Sequence, residues 1–405
     1  MRVLIFEPKF VGHFLGFAAV TANAFAELGC RVTMALPSKA RDTDQASIKL
    51  VDLPENVDIR FDIDVPKLYQ KWTNAKFETA ALSVALDDVP TDQLVLPSGD
   101  FVLSGLIKNG ALRRRLRSLD GVDLVLHNCH QVYPKLGARQ RCWCVLDRLA
   151  VSLARGIRLH TVDPFAMSSA AVSRMSIFGN PVHPLPHFRV VPANPPSQAE
   201  ARAKLRLPAA GRMLGSVGDL GRRKGTELLI KSFVLSQPGP NCYLVLFGLL
   251  SGTAKQILEE HRPLVEQGKI ICHDSFVSDS DFYNFFYAMD AIWAGFPHQV
   301  GIASTQLYAA EARRPIISSN YGAVGWLTTE YGLGRAFPGT VEAMTAAISW
   351  FQQSEQWRPD PQGLERLLSY HTTEEFNKHI TYGVRQRLSV PTREGTSKSA
   401  EERAV

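Results

Sequence analysis

The segment Leu214-Gly-Ser-Val-Gly-Asp-Leu-Gly-Arg-Arg-Lys-Gly225 carries the strongest structural signal in this sequence. It ends a short apolar run, makes a glycine-rich turn with three basic residues, and opens a helical pattern that continues from Thr226 to Leu235. Such a turn presents backbone N–H groups, a helix N-terminus and a cation to one point, where a diphosphate fits. The alternative is a basic turn ahead of an exposed helix.

The same alternation of strands and helices extends along the second half of the chain. Apolar strands separated by helix-length segments indicate a parallel sheet covered on both faces. The strands are predicted at Met213–Val217, Tyr243–Phe247, Lys269–Cys272, Ala291–Ala294 and Pro315–Ser318, and further helices at Ala254–Val265, Asp281–Met289 and Ser304–Arg313.

The first half repeats this architecture. Strands are predicted at Arg2–Phe6, Arg31–Leu36, Asp123–Leu126 and Ile157–Val162, with a helix from Phe14 to Leu28 that Gly29 ends. Six prolines crowd the segment between Phe178 and Pro196, which disfavours regular structure and marks a domain boundary.

The predicted fold class is therefore α/β, with two doubly wound, Rossmann-like domains facing each other across a cleft. The first domain covers residues 1–190 and the second 191–372. A closing helix over 373–388 returns to the first domain, and residues 389–405 form a polar tail expected to be disordered.

Composition narrows the class of protein. The 405 residues suit two domains, and 45% hydrophobic with 21% charged residues is typical of globular proteins. No apolar run approaches the roughly 18 residues of a membrane-spanning helix. The six cysteines are scattered, and no secretory signal is visible, so we expect reduced thiols and a cytoplasmic location. Cys142 and Cys144 lack further zinc ligands at suitable spacing, and we predict no metal site.

Several motifs, in matching order, resemble the GT-B retaining glycosyltransferases called family 4. The turn Gly218–Gly225 resembles their G-R-L…K-G loop, and Ala309–Ser318, with Pro315-Ile-Ile-Ser-Ser, resembles E-A-x-x-x-G-x-P-V-V-A-S. Weaker matches are Val190–Asn194 to V-I-P-N-G, Met289–Ile292 to A-D-V, Tyr321–Gly325 to the turn that follows, and Thr373–Leu388 to the closing helix. Together they cover about half of the chain, mainly its second half.

The resemblance implies transfer of a sugar from a nucleotide diphosphate sugar, with retention of anomeric configuration and generally without a metal. Lys224, helped by Arg222 or Arg223, is the expected cation on the leaving nucleoside diphosphate, and Gly218 belongs to the same loop. Backbone amides after Gly301, at Ile302 and Ala303, are expected to hold phosphate.

Three positions depart from the family's pattern. Asp219 stands where an Arg is usual, and Val300 and Tyr308 stand where the family has a pair of Glu residues. Those Glu residues contact the donor sugar and the nucleotide ribose. Glu311 lies three residues beyond Tyr308 on the same helical face, so we hypothesise that it reaches the ribose; the alternative is a solvated helix residue.

The first half of the chain contains fewer motifs that indicate function. Gly12 and His13 follow the first strand, where the family has a glycine-rich acceptor loop. His127 and His130 follow the strand Asp123–Leu126, and one of them corresponds to the family's functional His, which bonds the sugar or shuttles a proton. The alternative for each is a buried, hydrogen-bonded histidine.

A basic amphipathic helix is predicted over Leu106–Arg117. Its cations suit peripheral contact with an anionic membrane and access to a lipid-linked acceptor, and the alternative is a solvated helix face. They are Lys108, Arg113, Arg114, Arg115 and Arg117. The net charge of +6 also favours phosphorylated ligands. Nucleic-acid binding is not predicted, because aromatic residues are not interleaved with the basic ones.

The sequence thus predicts a hexosyltransferase-like enzyme with a nucleotide sugar as donor and a glycan, lipid-linked or small-molecule acceptor. No cofactor is expected, and the location is the cytoplasm or the inner face of the membrane. One alternative is a non-catalytic GT-B protein that binds sugar or stabilises another transferase. Another is a nucleotide-sugar epimerase, which product analysis without an acceptor distinguishes.

Overall fold

The computed structural model describes residues 1–10, 13–64, 75–127, 149, 152–153, 156–167, 182–189, 191–192, 194–353 and 357–389. Its strands form two all-parallel sheets, one in each half of the chain, and helices flank both sheets. The predicted α/β architecture of two doubly wound domains is confirmed. The predicted site residues Gly12 and His130, the Cys142–Cys144 pair and the tail beyond Ser389 lie outside the described residues.

The first sheet has seven strands in the order β3-β2-β1-β4-β5-β6-β7. They are β1 (Arg2–Phe6), β2 (Arg31–Pro37), β3 (Val57–Ile63), β4 (Gln93–Leu96), β5 (Gly121–Leu126), β6 (Arg158–Thr161) and β7 (Val182–Pro184). The last strand lies inside the proline-rich segment for which irregular structure was predicted. It pairs only at the edge of the described sheet, where a proline removes no interior hydrogen bond.

Helices cover both faces of this sheet. They are α1 (Phe14–Ala26), α2 (Asp44–Lys49), α3 (Ala75–Asp88), α4 (Asp100–Gly105) and α5 (Gly110–Arg117). Along β1 the buried side chains alternate between two hydrophobic clusters: Leu4 and Phe6 lie in one, and Val3 and Ile5 in the other. This two-sided burial explains why the strand is apolar throughout instead of alternating with polar residues.

The second sheet has six strands in the order β10-β9-β8-β11-β12-β13. They are β8 (Arg212–Val217), β9 (Cys242–Phe247), β10 (Ile270–His273), β11 (Ala291–Ala294), β12 (Ile316–Ser319) and β13 (Gly334–Phe337). The strand order reverses between β8 and β11, so a crevice opens at their carboxyl ends. Open parallel sheets bind ligands at such a crevice.

The helices of the second half continue the numbering. They are α6 (Gln198–Lys204), α7 (Thr226–Leu235), α8 (Gly252–Glu260), α9 (Arg262–Glu266), α10 (Asp279–Ala288), α11 (Ser304–Glu311), α12 (Gly322–Glu330), α13 (Val341–Gln353), α14 (Pro361–Tyr370), α15 (Thr373–Ile380) and α16 (Tyr382–Ser389). No helix in the described part of the chain is long and apolar enough to cross a membrane.

Two predicted helices are each divided in the structure. The segment Ala254–Val265 forms α8 and α9, because Pro263 in the first turn of α9 cannot donate the backbone bond that would continue α8. The closing segment divides into α15 and α16 at Thr381. The hydroxyl of Thr381 donates to the carbonyl oxygen of Asn377 at 2.6 Å, a local bond of the kind that bends helices.

The linker after β7 and the closing helices join the two halves. Phe188 in the linker packs on Phe17 of α1 and Phe376 of α15, with ring centroids 5.4 and 5.2 Å away. The Phe17 and Phe376 rings are themselves 5.1 Å apart. This aromatic trio fixes the linker and α15 against the first domain.

Candidate functional site

The glycine-rich turn lies at the crevice between β8 and β11. Arg222–Lys224 form one turn of 3₁₀-helix, and Gly225 then opens α7 with φ of +65°. A Cβ atom at Gly225 would lie 2.5 Å from the carbonyl oxygen of Gly295, which follows β11. Only glycine therefore allows the turn to lie this close to the neighbouring strand end.

Lys224 is buried beneath this turn, with 8% of its surface exposed. Its ammonium donates to the carbonyl oxygen of Val217, the last residue of β8. Burial lowers the pKa of Lys224 to about 7; Arg223 lowers it further and Asp219 opposes the shift. Because this pKa lies near neutral pH, only part of the Lys224 population is charged, and a bound anion favours the protonated form. Lys224 therefore suits a negatively charged ligand.

The other charges of the turn reach solvent. Arg222, Arg223 and Asp219 are exposed. Arg223 donates from Nη1 to the side-chain oxygen of Gln299 at 3.3 Å, which links the turn to the loop after β11. The turn thus offers two guanidinium groups and one buried ammonium beside a single carboxylate.

The loop before α11 closes against the first domain. Gly301 has φ of +82°, and a Cβ atom there would lie 2.6 Å from the carbonyl oxygen of His127. Val300 and Ile302 pack against the hydrophobic clusters of the first domain. Ala303 precedes α11 and makes no side-chain cap bond, so it does not satisfy the first backbone amides of this helix.

Tyr308, which stands at the place of the family's second Glu, and Glu311, the candidate for the ribose, both lie on α11 and have protein partners. The ring of Tyr308 packs in an aromatic cluster with Phe282 and Phe286 of α10, at centroid distances of 5.2 and 5.6 Å. Glu311 accepts a hydrogen bond through Oε2 from Nε of Arg189 in the linker at 2.8 Å, and both side chains are largely buried. The ion pair engages one of the two carboxylate oxygens of Glu311.

Two predicted histidines meet across the edge of the first sheet. His13 precedes α1, His127 follows β5, and their ring centroids are 5.7 Å apart. Nε2 of His127 lies 2.8 Å from the carbonyl oxygen of Pro97, and its backbone N–H donates to the carboxylate of Asp100 at 3.2 Å. Burial lowers the pKa of His127, so the ring is neutral at neutral pH.

His13 is exposed to the cleft, yet its pKa is also lowered. The main cause is loss of hydration, because protein atoms surround part of the ring. Positive charge on His127, His187, Lys9 and Arg223 also disfavours protonation of His13 and lowers its pKa. His13 is therefore a neutral hydrogen-bonding group.

The structure adds three residues that the sequence did not single out. Glu7 follows β1 directly and is fully buried, which raises the pKa of its carboxyl to about 7, and Lys9 comes two residues later. His187, after β7, lies 6.3 Å from the ring of His13. All three follow the carboxyl ends of strands, the one signal in the sequence that could have found them.

The basic helix predicted over Leu106–Arg117 is shorter in the structure: α5 begins at Gly110, where the side chain of Asn109 caps it by accepting from the amide of Leu112, and Lys108 lies in the turn before it. The apolar side of α5 packs on its own domain. Leu112 and Leu116 are buried in the first hydrophobic cluster. Arg113 donates to the carbonyl oxygens of Leu106 and Ile107, and Arg115 pairs with Asp87. Lys108, Arg114 and Arg117 are the exposed cations of the predicted basic face.

Among the residues that the structure describes, no group of three or more His, Cys, Asp or Glu side chains is arranged to hold a metal ion.

Comparison with known proteins shows similarity in structure alone. No protein-family model matches the sequence, and no curated protein sequence is significantly similar to it. Sucrose-phosphate synthase from Thermosynechococcus elongatus superposes with a TM-score of 0.67 at 15% identity, covering 96% of this chain and 99% of that one.

Two other solved structures give the same result. The Anabaena protein HepE, in complex with UDP and glucose, has a TM-score of 0.64 at 16% identity, covering 96% of this chain and 99% of that one. WaaG, a glycosyltransferase involved in lipopolysaccharide biosynthesis, has a TM-score of 0.63 at 14% identity, covering 94% and 100%. At these identities the likeness establishes the fold, which is the GT-B arrangement of glycosyltransferases.

Proposed function

We propose that this chain is a glycosyltransferase that moves a sugar from a nucleoside diphosphate sugar to an acceptor bound at the edge of the first sheet. One observation carries the proposal: a buried lysine with a lowered pKa underlies the glycine-rich turn at the crevice of the second sheet. This turn faces a first domain whose strand ends carry neutral histidines.

The donor diphosphate lies, in this proposal, over the turn Gly218–Gly225 and near the N-terminus of α11. Lys224 and one of Arg222 and Arg223 stabilise the negative charge that grows on the leaving nucleoside diphosphate. Amides at Ile302 and Ala303 add hydrogen bonds. The solved complex of HepE contains UDP and glucose, so UDP-glucose is the first donor to test.

Retention of anomeric configuration and independence from metal are further parts of the proposal. Both follow from the resemblance of the motifs, and the cationic side chains of the turn supply charge that a metal would otherwise provide. On the acceptor side, His127 and His13 bond a sugar hydroxyl or move its proton. The exposed cations Lys108, Arg114 and Arg117, in and just before α5, provide a surface for a membrane that carries the acceptor.

A panel of nucleotides and nucleotide sugars tests the proposal by thermal shift, followed by a transfer assay with the donor that binds. A ligand that binds only the native state raises Tm. We expect UDP or another nucleoside diphosphate to raise Tm, and Lys224→Met to abolish that rise. Lys231→Met, at an exposed position on α7, is the matched control. A wild-type chain that no nucleotide stabilises would overturn the proposal.

A non-catalytic GT-B protein remains the second candidate, because specific contacts favour it. Val300 packs on the core of the first domain, and Tyr308 packs among aromatic rings, at the two places where the resemblance implies carboxylates. Such a chain would bind sugar or stabilise a partner transferase. Donor hydrolysis or transfer by the isolated chain excludes it.

A further inference from the structure

The ammonium of Lys9 is held by aromatic rings and not by an ion pair with a described carboxylate. It is half-buried at the carboxyl end of β1. Its Nζ lies 4.9 Å from the ring centroid of Phe14 and 5.3 Å from that of Phe101, and it forms no ion pair with any Asp or Glu in the described part of the chain. Aromatic faces hold the ammonium in place and leave its hydrogen-bond donors available.

The acids closest to this lysine are engaged elsewhere. Oε1 of Glu7 accepts the backbone N–H of Lys9 at 2.9 Å, and burial raises the pKa of that carboxyl to about 7, so it carries only part of a charge at neutral pH. Both carboxylate oxygens of Asp100 lie 3.2 Å from the backbone nitrogen of His127. Neither acid forms an ion pair with Lys9, although the positive charge of Lys9 opposes the rise in the pKa of Glu7.

His13 and Lys9 both contact the ring of Phe14: the ring centroids of His13 and Phe14 are 4.4 Å apart, and Nζ of Lys9 lies 4.9 Å from the Phe14 centroid. Lys9 from the first domain and Arg223 from the second both lower the pKa of His13, although its ring is exposed to solvent. Lys9 also lowers the pKa of His127, whose ring lies 5.7 Å from that of His13. An exposed ring between two cations lies where an anion gains most electrostatic free energy.

This positive region is separate from the donor turn. The ammonium of Lys224 bonds the carbonyl oxygen of Val217 at the end of β8, whereas that of Lys9 lies over the rings of Phe14 and Phe101 in the first domain. Arg223, on the same turn as Lys224, adds positive potential at His13. A diphosphate on Lys224 leaves the centre at Lys9 and His13 for a second anionic group.

We propose that Lys9 and His13 bind a phosphate monoester carried by the acceptor, an inference that rests on the proposed transferase function. Such a group has close to two negative charges and three oxygens at neutral pH. The ammonium of Lys9 neutralises the charge, and the ring N–H of His13 bonds a second oxygen. The first-turn amides of α1, whose N-cap residue makes no side-chain bond, bond the third.

Calorimetric titration of the full chain, with UDP at saturation to fill the donor site, tests this site. Glucose 6-phosphate is the soluble probe, and glucose is its uncharged control. We expect glucose 6-phosphate to bind more tightly than glucose and Lys9→Met to weaken it by about tenfold or more, the effect of one charge-assisted bond. Lys9→Arg keeps most of the affinity, and Lys231→Met keeps all of it.

A second arm locates the phosphate. Phosphatidylcholine vesicles with and without phosphatidic acid present the same group on a lipid. Binding that requires phosphatidic acid and Lys9 places the phosphate on a lipid-linked acceptor, and binding of glucose 6-phosphate alone places it on a soluble one. The inference fails if neither probe binds in a way that depends on Lys9, or if Lys9→Arg loses as much as Lys9→Met in folded protein.

The proposed function and this inference fail separately. UDP affinity should be unchanged in Lys9→Met, because Lys9 belongs to the other domain. If wild-type protein does not bind UDP, the proposed donor site is wrong. Binding of glucose 6-phosphate without UDP, and its dependence on Lys9, still tests the anion site.

Discussion

Lys224 links nucleotide binding to proton uptake. Because its pKa is about 7 in the free protein, the Lys224 side chain is mostly the neutral amine at pH 8. A bound diphosphate favours the charged form and raises this pKa, so binding must take up a proton above pH 7. We expect UDP affinity to fall as pH rises from 7 to 9, with a limiting slope of about tenfold per pH unit.

Calorimetry in two buffers of different ionisation enthalpy measures this uptake directly. The terminal phosphate of UDP, with a second pKa of about 6, is ionised at pH 8.5, so uptake of close to one proton at that pH belongs to the protein. Lys224→Arg, which stays charged, should bind UDP without proton uptake. Equal uptake in wild type and Lys224→Arg would show that another group titrates.

Gly301, in the second domain, lies against the backbone carbonyl oxygen of His127 in the first domain. A side chain at this position would meet that backbone oxygen at 2.6 Å, and φ of +82° adds strain of about 1–2 kcal/mol. We expect Gly301→Ala to separate the two cleft walls. In a transfer assay, it should lower kcat and increase the hydrolysed share of the donor, because water enters the cleft.

Gly268 provides the matched control for this change. It has φ of +69°, and a Cβ atom there would meet nothing within 4 Å. Gly268→Ala should therefore cost backbone strain alone and leave the ratio of transfer to hydrolysis at the wild-type value. If both variants lose similar stability and neither changes that ratio, the contact with His127 does not control the cleft.

At the scale of elements, Arg189 ties the linker to both α11 and the end of α14. Its Nε bonds Glu311 at 2.8 Å, and its Nη1 donates to the carbonyl oxygens of Leu368 and His371. Removing one partner of a largely buried ion pair leaves the other uncompensated. We expect Arg189→Ala and Glu311→Ala each to lower the free energy of unfolding by about 2–4 kcal/mol, with a coupling free energy above about 1 kcal/mol in a double-mutant cycle.

The same pair of variants tests the hypothesis that Glu311 reaches the ribose. Oε2 is engaged by Arg189, but Oε1 remains for a ligand. If it bonds the ribose, Glu311→Ala weakens UDP binding by tenfold or more, while folded Arg189→Ala does so much less. If both variants bind UDP with equal affinity, Glu311 does not bond the ribose, and its role is the ion pair with Arg189.

The sequence predicted elements well where strands are buried on both faces and turns contain glycine. β1, α7 and β11 have the predicted bounds, and the turn of Lys224 lies at the predicted crevice. The four-residue strand β4 was missed, because its apolar run is too short to show a period. The engagement of Glu311 by Arg189 depends on contacts between residues 122 positions apart, which no local pattern encodes.

At the scale of the whole molecule, acid should weaken the junction of the two domains. His371 is 2% exposed and lies where the linker meets the end of α14, with Nδ1 3.0 Å from the backbone nitrogen of His187. Burial lowers the pKa of His371 to about 3 and that of His187 to about 4. The unfolded chain binds these protons near pH 6.5, well before the folded chain does.

The sign of the effect follows from this difference. Below pH 6.5 the unfolded state holds more protons, so the stability from these neutral histidines is fully present above that pH and is lost progressively toward pH 3–4. Each ring should remove up to about 2 kcal/mol between pH 6.5 and pH 5. Arg189 beside His371 strengthens the trend, because a second positive charge there is repelled.

Urea unfolding of the full chain at pH 7.5, 6 and 5 measures the trend. His371→Gln should lose stability at pH 7.5, because it disturbs the packed junction, but should lose less than wild type on going to pH 5. The control His261→Gln, at the partly exposed turn between α8 and α9, should follow the wild-type pH dependence. If His371→Gln and wild type lose equal free energy between pH 7.5 and pH 5, protonation of His371 does not weaken the junction, and the acid sensitivity belongs to other groups.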